Sequence, residues 1–439
     1  MSDYLTTDTE LTSIANAIRT KGGTSASLTY PAGFVSAIEA IPSGGGGNPE
    51  AQSNDVNFYD YDGTILYSYS ASDFLNLTAL PANPSHIGLT AQGWNWTLSG
   101  AKTFVTTYGM LDIGQLYVTD DGKTKIYISI EDDTPSLLNY YVYYYQSVAN
   151  GVEVDWGDGS AKVTSGSSGS TSRSHNYSEK GSYIITLECK NGYMNLGSST
   201  SNYSVVGDGT QTSNKAKVNT VKKIEIGSGV TELLKCCANL DGLTRITMPR
   251  SIASIASQCF INSGLKCIVT PIDVNMYSSC EGCKNLEAIS FAEGITYDSS
   301  ITYNFYNCYV IKRLALPQGI ALSNYSLQNV NCLYRISFPE GLTAINGYYN
   351  KTNYYISTIA IPSTVTSIGS DTFRYWNGLR IIHMKPTSPP TLGASNVIST
   401  SNLSIIYVPY SADHSILNAY KTANNWSTYA SKMQEEPAS

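Results

Sequence analysis

Cysteine and histidine are the side chains of this sequence most able to hold a metal ion or to take part in nucleophilic catalysis. One C-x-x-C pair is present, Cys280-Glu-Gly-Cys283. A zinc site needs a second pair of ligands, and a redox site is typical of a thioredoxin-like strand–helix setting. The four histidines are His86, His175, His383 and His414. They are scattered and show no metal-ligand spacing, so we expect no metal, no cofactor and no catalytic cysteine.

A second candidate for chemistry is the acidic segment Asp60-Tyr-Asp-Gly-Thr64. It matches the D-x-D-G-T motif of haloacid-dehalogenase-type phosphatases, in which the first aspartate attacks phosphorus, the second acts as acid and base, and Mg²⁺ completes the site. In that family the motif closes a buried parallel strand. Here residues 55–59 are half polar, and Thr64–Tyr69 continues as a strand, which places Asp62 and Gly63 in a hairpin turn. The pattern therefore favours a structural turn, and no catalytic residue is predicted.

The composition excludes several classes of function. Only 14% of the 439 residues are charged and the net charge is −7, whereas an average soluble protein is about 25% charged. An acidic chain lacks the basic footprint of a nucleic-acid-binding protein. The sequence contains no run of about 18 apolar residues, so no transmembrane helix is predicted. The start, Met1-Ser-Asp-Tyr4, does not resemble a signal peptide, so we expect synthesis in the cytoplasm with mostly reduced thiols. The 34 tyrosines, against nine phenylalanines, favour aromatic rings that face water.

A repeat of 21 to 25 residues begins at Val221 and predicts the architecture of the second half of the chain. Each unit starts with an aliphatic residue, which we call its leader. A second aliphatic residue follows three positions after the leader. The position five residues after the leader is apolar in most units and is often followed by proline. Single units of this length cannot bury their apolar strip, whereas stacked units share one core, so the period predicts a leucine-rich-repeat solenoid. The leaders are Val221, Leu243, Leu265, Leu286, Ile311, Leu333, Ile356, Leu379 and Leu403.

The units closely resemble the BspA-type leucine-rich repeat. Ile361-Pro-Ser-Thr-Val-Thr-Ser-Ile-Gly369, followed by Thr372-Phe373, is nearly the unit of that family. The resemblance implies a solenoid over residues 207–410, and residues 411–439 look like the helical cap that hides the last apolar face. We expect small buried cysteines where repeats meet, namely Cys237, Cys283 and Cys308.

Four segments of the repeats depart from the family pattern and are rich in Tyr, Asn and Ser. They are residues 296–310, 321–332, 346–355 and 370–378. Because stacking places the same segment of each coil on one side, we predict a receptor-binding surface with the residue types of antibody paratopes. The alternative is that half of these rings are core residues of a loosely patterned repeat. The predicted binding residues are Tyr297, Tyr303, Tyr306, Tyr309, Tyr325, Tyr348, Tyr349, Tyr354, Tyr355, Tyr375 and Trp376.

The same segments suggest a source of variation. The codons of Asn, Tyr, Ser, Asp, Ile and Thr are linked by changes at adenine. We therefore hypothesise that these positions are hypervariable through a diversity-generating retroelement. Sequencing of related genomes that showed no excess of substitutions here would contradict the hypothesis.

The first part of the chain predicts a small module followed by a larger domain. Residues 1–42 predict two short helices, which we interpret as a tail-attachment module rather than the alternative, a disordered leader. Residues 43–54 form a Gly-rich linker. Residues 55–132 predict an α+β domain with hairpins at Asp62-Gly63 and Asp121-Gly122. Its predicted helices are Ala71–Leu80, capped by Ser70, and Thr97–Tyr108.

Residues 133–206 are rich in strand patterns and carry three motifs in order. These are Trp156-Gly-Asp-Gly-Ser160, His175-Asn-Tyr177 and Gly181-Ser-Tyr-Ile-Ile-Thr-Leu187. Together they resemble the signature of polycystic-kidney-disease (PKD)-like β-sandwich domains. The resemblance implies a non-catalytic spacer or a weak binding module. The predicted fold class is therefore multidomain α+β, with a helical module, an α+β domain, a β-sandwich, a solenoid and a cap.

The order of these modules resembles tail-associated proteins of bacteriophages that infect gut Firmicutes. Leu11-Thr-Ser-Ile-Ala-Asn-Ala-Ile-Arg19 and Tyr30-Pro-Ala-Gly-Phe34 look like the start of many such proteins. The resemblance implies a virion protein, made in the host cytoplasm, that binds a bacterial surface receptor, either glycan or protein. Residues 1–42 would then bind other tail or baseplate proteins. We expect no nucleic-acid partner and no membrane insertion, and a homo-oligomer is left open.

Two other functions are weighed against this one. The first is a bacterial cell-surface leucine-rich-repeat adhesin, whose export signal would be unconventional or missing from the sequence. The second is a tail-associated enzyme, which is disfavoured because no catalytic constellation is present. The gene neighbourhood would separate a tail protein from a surface adhesin.

Overall fold

The computed structural model describes residues 55–131, 139–198, 204–207, 220–276, 280–297, 305–320, 326–346, 353–399 and 402–438. The chain divides into two compact units, Met1–Ser53 and Asn54–Ser439, and the described residues belong to the second. The predicted helical module and the linker lie outside the described residues.

Residues 55–119 form a small sheet that shares a core with two helices. Its elements are β1 (Val56–Tyr59), β2 (Ile65–Tyr69), α1 (Ala71–Leu75), β3 (Leu89–Trp94), α2 (Leu98–Tyr108) and β4 (Leu111–Thr119). The strand order is β2-β1-β4-β3. β1 pairs antiparallel with β2 across the predicted turn at Asp62-Gly63, which confirms that hairpin, and it pairs parallel with β4. Phe58, Trp94 and Phe104 lie in the shared core.

α1 begins after its predicted cap, Ser70, and α2 begins after Thr97, which was predicted as its first residue and is its cap. The Ser70 hydroxyl accepts a hydrogen bond from the N–H of Asp73, and the Thr97 hydroxyl accepts one from Gly100. These hydroxyls satisfy N–H groups that have no partner inside a helix. α1 ends at Leu75, earlier than the predicted Leu80, because the N–H of Asn76 turns back to the carbonyls of the last helical turn.

Beyond residue 119 two sheets face each other across one large hydrophobic core. Their strands are β5 (Thr124–Ile130), β6 (Asn139–Gln146), β7 (Val152–Asp155), β8 (Val163–Thr164), β9 (Gly169–Asn176), β10 (Gly181–Cys189), β11 (Met194–Leu196) and β12 (Val206–Gly207). β5, β10, β7 and β8 lie side by side in one sheet, and β12, β6 and β11 in the other, with β9 paired to β6. Tyr140, Val142 and Tyr144 of β6 point into the core together with Ile126 and Ile128 of β5.

The predicted hairpin over Gln115–Ile130 is wrong. The turn at Asp121-Gly122 is present, but β4 stays in the first sheet, whereas β5 pairs antiparallel with β10. The reason is burial, because the alternate residues of β5 that are buried line the large core rather than the core of residues 55–119. β5 therefore belongs to the sheet of β10 and not to the sheet of residues 55–119.

The repeats form a solenoid of stacked coils. Its strands are β13 (Val221–Glu225), β14 (Val230–Leu233), β15 (Arg245–Ile246), β16 (Ser254–Ile255), β17 (Cys267–Val269), β18 (Asn275–Met276), β19 (Ala288–Ser290), β20 (Thr296–Tyr297), β21 (Arg313–Ala315), β22 (Arg335–Ser337), β23 (Ala344–Ile345), β24 (Thr358–Ile361), β25 (Ser367–Ile368), β26 (Ile381–Met384), β27 (Thr391–Leu392), β28 (Ile405–Val408) and β29 (Met433–Glu435). In each coil a first strand lies at or just after the leader, and in seven coils the described residues also include a short second strand on the return side. Strands of one kind pair parallel with those of neighbouring coils.

The solenoid continues the two preceding sheets without a break. β13, the first strand of the first coil, pairs with β5, and β14 on its return side pairs with β11. The first coil thus supplies partners to backbone groups that an open sheet edge would leave unpaired. The described strands that precede the repeats and those of the first coil therefore share the same two sheets.

The core of the solenoid confirms the repeat pattern. All nine leaders are buried, as are the residues three and five positions after each of them. Cys237, Cys283 and Cys308 are fully buried, as expected for small residues where repeats meet. Thr270, the one polar residue at the fifth position after a leader, is also buried. Its hydroxyl accepts a hydrogen bond from the N–H of Ala292.

Asparagines shape the turns that precede the leaders. Asn239, Asn262, Asn307 and Asn329 have positive φ angles between 53° and 63°, a conformation that Asn tolerates better than most residues. The Asn262 amide donates to the side-chain oxygen of Asn239 at 3.0 Å, and Asn329 donates to Asn307 at 2.8 Å. These bonds hold the turns of neighbouring coils in register.

The predicted cap closes the far end of the solenoid. It consists of α3 (Ser415–Thr422), a 3₁₀ helix (Trp426–Lys432) and β29. Tyr420, Trp426 and Tyr429 are buried, and each donates a hydrogen bond to a backbone carbonyl of the last coils. β29 pairs parallel with β28, so the cap also adds a final strand that the sequence pattern does not predict.

Candidate functional site: the turn edge of the solenoid

The turn before each leader runs into the first strand along one edge of the solenoid. Backbone hydrogen bonds join equivalent residues of neighbouring coils there, as when Lys312 donates to Glu287 and Tyr334 donates to Lys312. Each of these residues follows its leader by one position, so the same part of every coil lies on this edge. We call the segments 305–312, 326–334, 353–357 and 371–380 the turn edge.

Four of the predicted binding tyrosines are exposed on the turn edge. Tyr354 and Tyr355 expose 66% and 62% of their surface, and Tyr309 and Tyr375 expose 36% and 39%. Tyr306 is half-buried. These four rings are therefore open to solvent on one edge, and their role in binding stays a prediction.

Trp376 does not fit the predicted surface. Only 1% of its surface is exposed, and its ring packs edge-on against Phe373 at 4.9 Å between centroids. It is a core residue because it occupies the inward position next to the outward Tyr375. The side chains of the remaining predicted residues lie outside the described part of the chain, and they are Tyr297, Tyr303, Tyr325, Tyr348 and Tyr349.

The most exposed pair of rings is held by a buried asparagine. The Asn353 side-chain oxygen accepts hydrogen bonds from the N–H groups of Tyr355 and Ile356, at 2.9 and 2.8 Å. Its amide donates to the carbonyl of Leu333 in the preceding coil at 2.7 Å. The backbone under Tyr354 and Tyr355 is therefore fixed while the two rings remain exposed to solvent.

Two further tyrosines of the turn edge have polar neighbours. The guanidinium of Arg374 lies 5.4 Å from the centre of the Tyr375 ring, and it forms an ion pair with Asp371 at 2.9 Å. The Tyr309 hydroxyl donates to the side-chain oxygen of Asn307 at 3.2 Å. The edge thus combines apolar ring faces with hydrogen-bonding groups, as surfaces that bind polar ligands do.

One exposed tyrosine of the turn edge was not predicted. Tyr334 exposes 45% of its surface and directly follows the leader Leu333. Cationic side chains occupy the same position in other coils, among them Lys312 and Arg380. The position one residue after the leader, which faces outward in this repeat, is the signal that identifies all of them.

Residues 55–119 cover the face formed by the first strands of the middle coils, from β17 to β22, whereas Thr358 and Ala360 of β24 are exposed. Asp112 of β4 and Arg313 of β21 form an ion pair at 3.2 Å, and both side chains are almost fully buried. Burial raises the pKa of Asp112, although Arg313 acts in the opposite direction. Arg335 of the next coil pairs with the Asp55 carboxylate at 2.5 Å. Charged groups of two coils therefore hold residues 55–119 in place.

Polar side chains at the start of α2 extend this internal interface. The Asn95 amide donates to the carbonyls of Thr270 and Ser290, and the Trp96 indole donates to the carbonyl of Phe291 at 2.7 Å. At Gly114 a Cβ atom would lie 2.4 Å from the Val269 side chain, so glycine is needed for the close approach. Further contacts join Arg250 to Gln92, Glu340 to Tyr108 and Lys385 to Thr107.

The D-x-D-G-T segment has a different environment from the expected one. β1 is buried at all four positions and pairs parallel with β4, contrary to the half-polar strand expected here. The Asp60 carboxylate accepts hydrogen bonds from the Tyr61 N–H and the Tyr117 hydroxyl, and it lies 2.7 Å from His86 Nε2. Asp62 accepts the N–H of Thr64 within the hairpin turn. These partners occupy both oxygens of Asp60, and among the described residues no group of three His, Cys, Asp or Glu side chains could hold a metal ion.

The three motifs of residues 133–206 meet in one cluster. The His175 ring stacks on Trp156 at 5.0 Å, and its Nε2 lies 2.6 Å from the Asp158 carboxylate. The Tyr177 hydroxyl donates to the Trp156 carbonyl. Trp156 and Tyr177 are buried, so these motif residues hold together the segments that follow β7 and β9.

The stacked coils define a leucine-rich-repeat solenoid, and comparison with known families gives the type of repeat. Residues 216–281, 276–380 and 299–425 match the model of the BspA type leucine rich repeat region, in six copies. The solenoid is therefore built of BspA-type leucine-rich repeats, as its sequence predicts.

Two solved structures are similar to this chain. One is a leucine-rich repeat protein from Bacteroides ovatus ATCC 8483, with 19% identity and a TM-score of 0.33, covering 49% of this chain and 60% of that one. The other is a leucine rich cell surface protein from Faecalibacterium prausnitzii A2-165, with 19% identity and a TM-score of 0.27, covering 46% and 63%. The chain thus spans less than two thirds of either protein. Comparison with curated proteins gives no match.

None of the helices in the described part of the chain has the length and apolar character needed to cross a bilayer.

Proposed function

We propose that this protein is a bacterial cell-surface adhesin whose turn edge binds a surface receptor. The observation that carries the proposal is the row of exposed rings on one edge of stacked coils, Tyr309, Tyr334, Tyr354, Tyr355 and Tyr375. The BspA-type repeats support the adhesin class over the other candidates.

Tyrosines held in this way suit recognition for a physical reason. A Tyr side chain offers a large ring and a hydroxyl with few rotatable bonds, so little conformational entropy is lost on binding. The hydrogen bonds of Asn353 fix the backbone under the most exposed pair. Several copies of the protein on one surface would add avidity to a modest single-site affinity.

A bacteriophage tail protein is the second candidate. The resemblance of Leu11–Arg19 and of residues 30–34 to tail proteins supports it. The turn edge would then bind the host receptor, and residues 1–42 would bind tail or baseplate proteins. Immunogold labelling of intact cells and of virions from the same culture separates the two candidates.

We also propose that the protein binds without catalysing a reaction and needs no cofactor. The engaged oxygens of Asp60 support this part of the proposal. The region with Trp156, His175 and Tyr177 is proposed as a PKD-like spacer, which its motif residues support. Hydrolysis of p-nitrophenyl phosphate that vanished in Asp60→Asn would overturn the non-catalytic proposal.

The test of adhesion is binding of the full, fluorescently labelled chain to a panel of bacterial and host cells. We expect strain- or cell-selective binding that falls at least tenfold in the double variant Tyr354→Ala/Tyr355→Ala. The matched control is Tyr193→Ala/Tyr410→Ala, which removes two exposed rings, at 43% and 49% exposure, outside the turn edge. The control should bind as the unmodified chain does.

Two results would contradict the proposal. Equal binding by both double variants would remove the turn edge from recognition. Equal loss in both, with unchanged thermal unfolding, would show that rings anywhere on the surface suffice.

A further inference from the structure

Charge is unevenly distributed over the solenoid. The chain carries a net charge of −7, yet the residues one position after the leaders are mostly cationic or neutral. We call this row of residues the basic row. It consists of Lys222, Thr244, Lys266, Glu287, Lys312, Tyr334, Ser357, Arg380 and Ser404. The row thus has four cations and one anion.

The basic row is a continuous feature of the surface. From Lys222 to Tyr334 each N–H donates to the carbonyl of the preceding member of the row, and the same bonds join Ser357, Arg380 and Ser404. All of the cations are exposed. The one acidic member, Glu287, is paired with Lys312 at 2.6 Å, and both side chains are about half exposed.

The spacing of the row follows from the stacking of the coils. Neighbouring parallel strands lie about 4.8 Å apart. Lys222, Lys266 and Lys312 occupy alternate coils, so successive cations repeat at about 10 Å. Tyr334 stands in the row itself, next to Lys312, and the other exposed tyrosines lie in the turns beside it. The row therefore carries spaced cations and one ring, with the other exposed rings in the turns beside it.

The opposite edge of the solenoid has a different character. There the first strand turns toward the second, and the acidic residues Asp273, Glu293 and Glu340 outnumber the cations Arg250 and Lys385. Glu293 accepts the N–H of Thr97, and the N–H of Glu340 donates to the Tyr108 hydroxyl, so residues 55–119 contact this edge. The basic row is thus the edge at which an anionic ligand meets complementary charge.

We propose that the basic row binds an anionic polysaccharide chain, with the cations on its acidic groups and the tyrosine rings on its sugar faces. The proposal deepens the proposed function, on which it rests, by giving the chemical class of the receptor. A linear polymer suits the site because the row is linear and repeats with the coils. Nucleic acid suits it less, because a duplex carries one charge per about 1.7 Å, far more densely than the row can neutralise on an acidic protein.

The probes for the test are carboxymethyl dextran, neutral dextran of the same length and a duplex DNA. Binding to the full chain is measured by fluorescence anisotropy at low and at physiological salt. We expect binding of carboxymethyl dextran that weakens as salt screens the charges, and at least tenfold weaker binding of the other two. The variant Lys266→Gln/Lys312→Gln/Arg380→Gln should lose at least tenfold in affinity.

A matched control separates the row from net charge. Lys102→Gln/Lys162→Gln/Lys421→Gln makes the same change in charge in other elements, and should keep its affinity within about twofold. Tyr334→Ala should weaken binding severalfold without changing the salt dependence, because it removes a ring and no charge.

Each contrary outcome has a distinct meaning. Equal loss in the control variant, or DNA binding as tight as that of carboxymethyl dextran, would show a general polyanion effect and overturn the proposal. Absence of binding to carboxymethyl dextran would overturn it as well. If cell binding still depended on Tyr354 and Tyr355 in that case, the proposed adhesion function would stand and only the ligand class would fail.

Discussion

Lys312 and Arg313 are neighbours in the sequence, yet they lie on two very different sides of the same coil. Lys312 faces the turn edge, where it pairs with Glu287 in contact with water. Arg313 points from the first strand into the interface with residues 55–119, where it pairs with the buried Asp112. The two ion pairs have similar chemistry but different surroundings.

This difference shows how the solenoid divides its surface. In the middle coils the face of the first strands is occupied by residues 55–119, which fill it with hydrogen bonds, ion pairs and packed side chains. The turn edge carries exposed rings and cations. Recognition is therefore expected at the turn edge, and the covered face is expected to contribute stability.

The largest effect should come from breaking the buried ion pair. Arg313→Met leaves the Asp112 carboxylate buried without its cation, and removing one partner of such a pair costs about 3–5 kcal/mol of unfolding free energy. The double variant Asp112→Asn/Arg313→Met should recover part of this loss, because no unpaired charge remains. Urea unfolding of the three proteins measures both effects. A loss below about 1 kcal/mol in the single variant would contradict the role of this pair.

A second comparison uses two adjacent residues of the turn edge. Trp376→Ala should destabilise the protein by about 3–5 kcal/mol, because it leaves a cavity in the core. Tyr375→Ala should change stability by less than about 0.5 kcal/mol, as expected for an exposed side chain. Thermal unfolding compares the two. Similar losses in both variants would place the Tyr375 ring in the core as well.

A smaller, pH-dependent effect on stability is expected at Asp158, in the two-sheet region that precedes the first coil. Burial acts to raise the pKa of Asp158, but hydrogen bonds from Ser160 and His175 outweigh it and lower the pKa from 3.8 to about 2. A carboxyl group whose pKa is lowered in the folded state stabilises the protein at any pH above its pKa in the unfolded chain. This stabilisation is lost as pH falls from about 4 to about 2. Thermal unfolding of the unmodified chain and of Asp158→Asn should therefore differ at pH 6 and converge near pH 2. A constant difference would rule out this source of stability.

The smallest effect is expected at the exposed ion pair of the turn edge. Glu287→Gln removes the partner of Lys312, and exposed pairs of this kind contribute at most about 1 kcal/mol. We expect less than about 0.5 kcal/mol in urea unfolding, and a slight gain in binding of anionic probes, since one repelling charge is lost. A loss comparable to that of Arg313→Met would show that the turn edge is not open to solvent as described.

The solenoid could be predicted from the sequence because each repeat restates the same local pattern. Nine leaders and their partners three residues later are all aliphatic, and burial of an apolar strip in stacked coils follows directly. The cap could be predicted for the same reason, as the apolar end of the stack needs a cover.

The position of residues 55–119 could not be predicted. It depends on pairs such as Asn95 with Ser290 and Asp112 with Arg313, which are about 200 residues apart and follow no repeat. The alternation in β5 identifies a strand but not its partner, which explains the wrong hairpin. Tyr334 could not be predicted from the Tyr-rich turn segments, because it lies after them, one position past its leader.

The most direct test of the turn edge is hydroxyl-radical footprinting of the full chain, free and bound to the cells that it recognises. Radical oxidation of tyrosine reports the exposure of each ring. Binding at the turn edge predicts protection of Tyr309, Tyr334, Tyr354, Tyr355 and Tyr375, with Tyr193 and Tyr410 oxidised as in the free protein. Protection of Tyr193 or Tyr410, with the turn-edge rings unchanged, would contradict it.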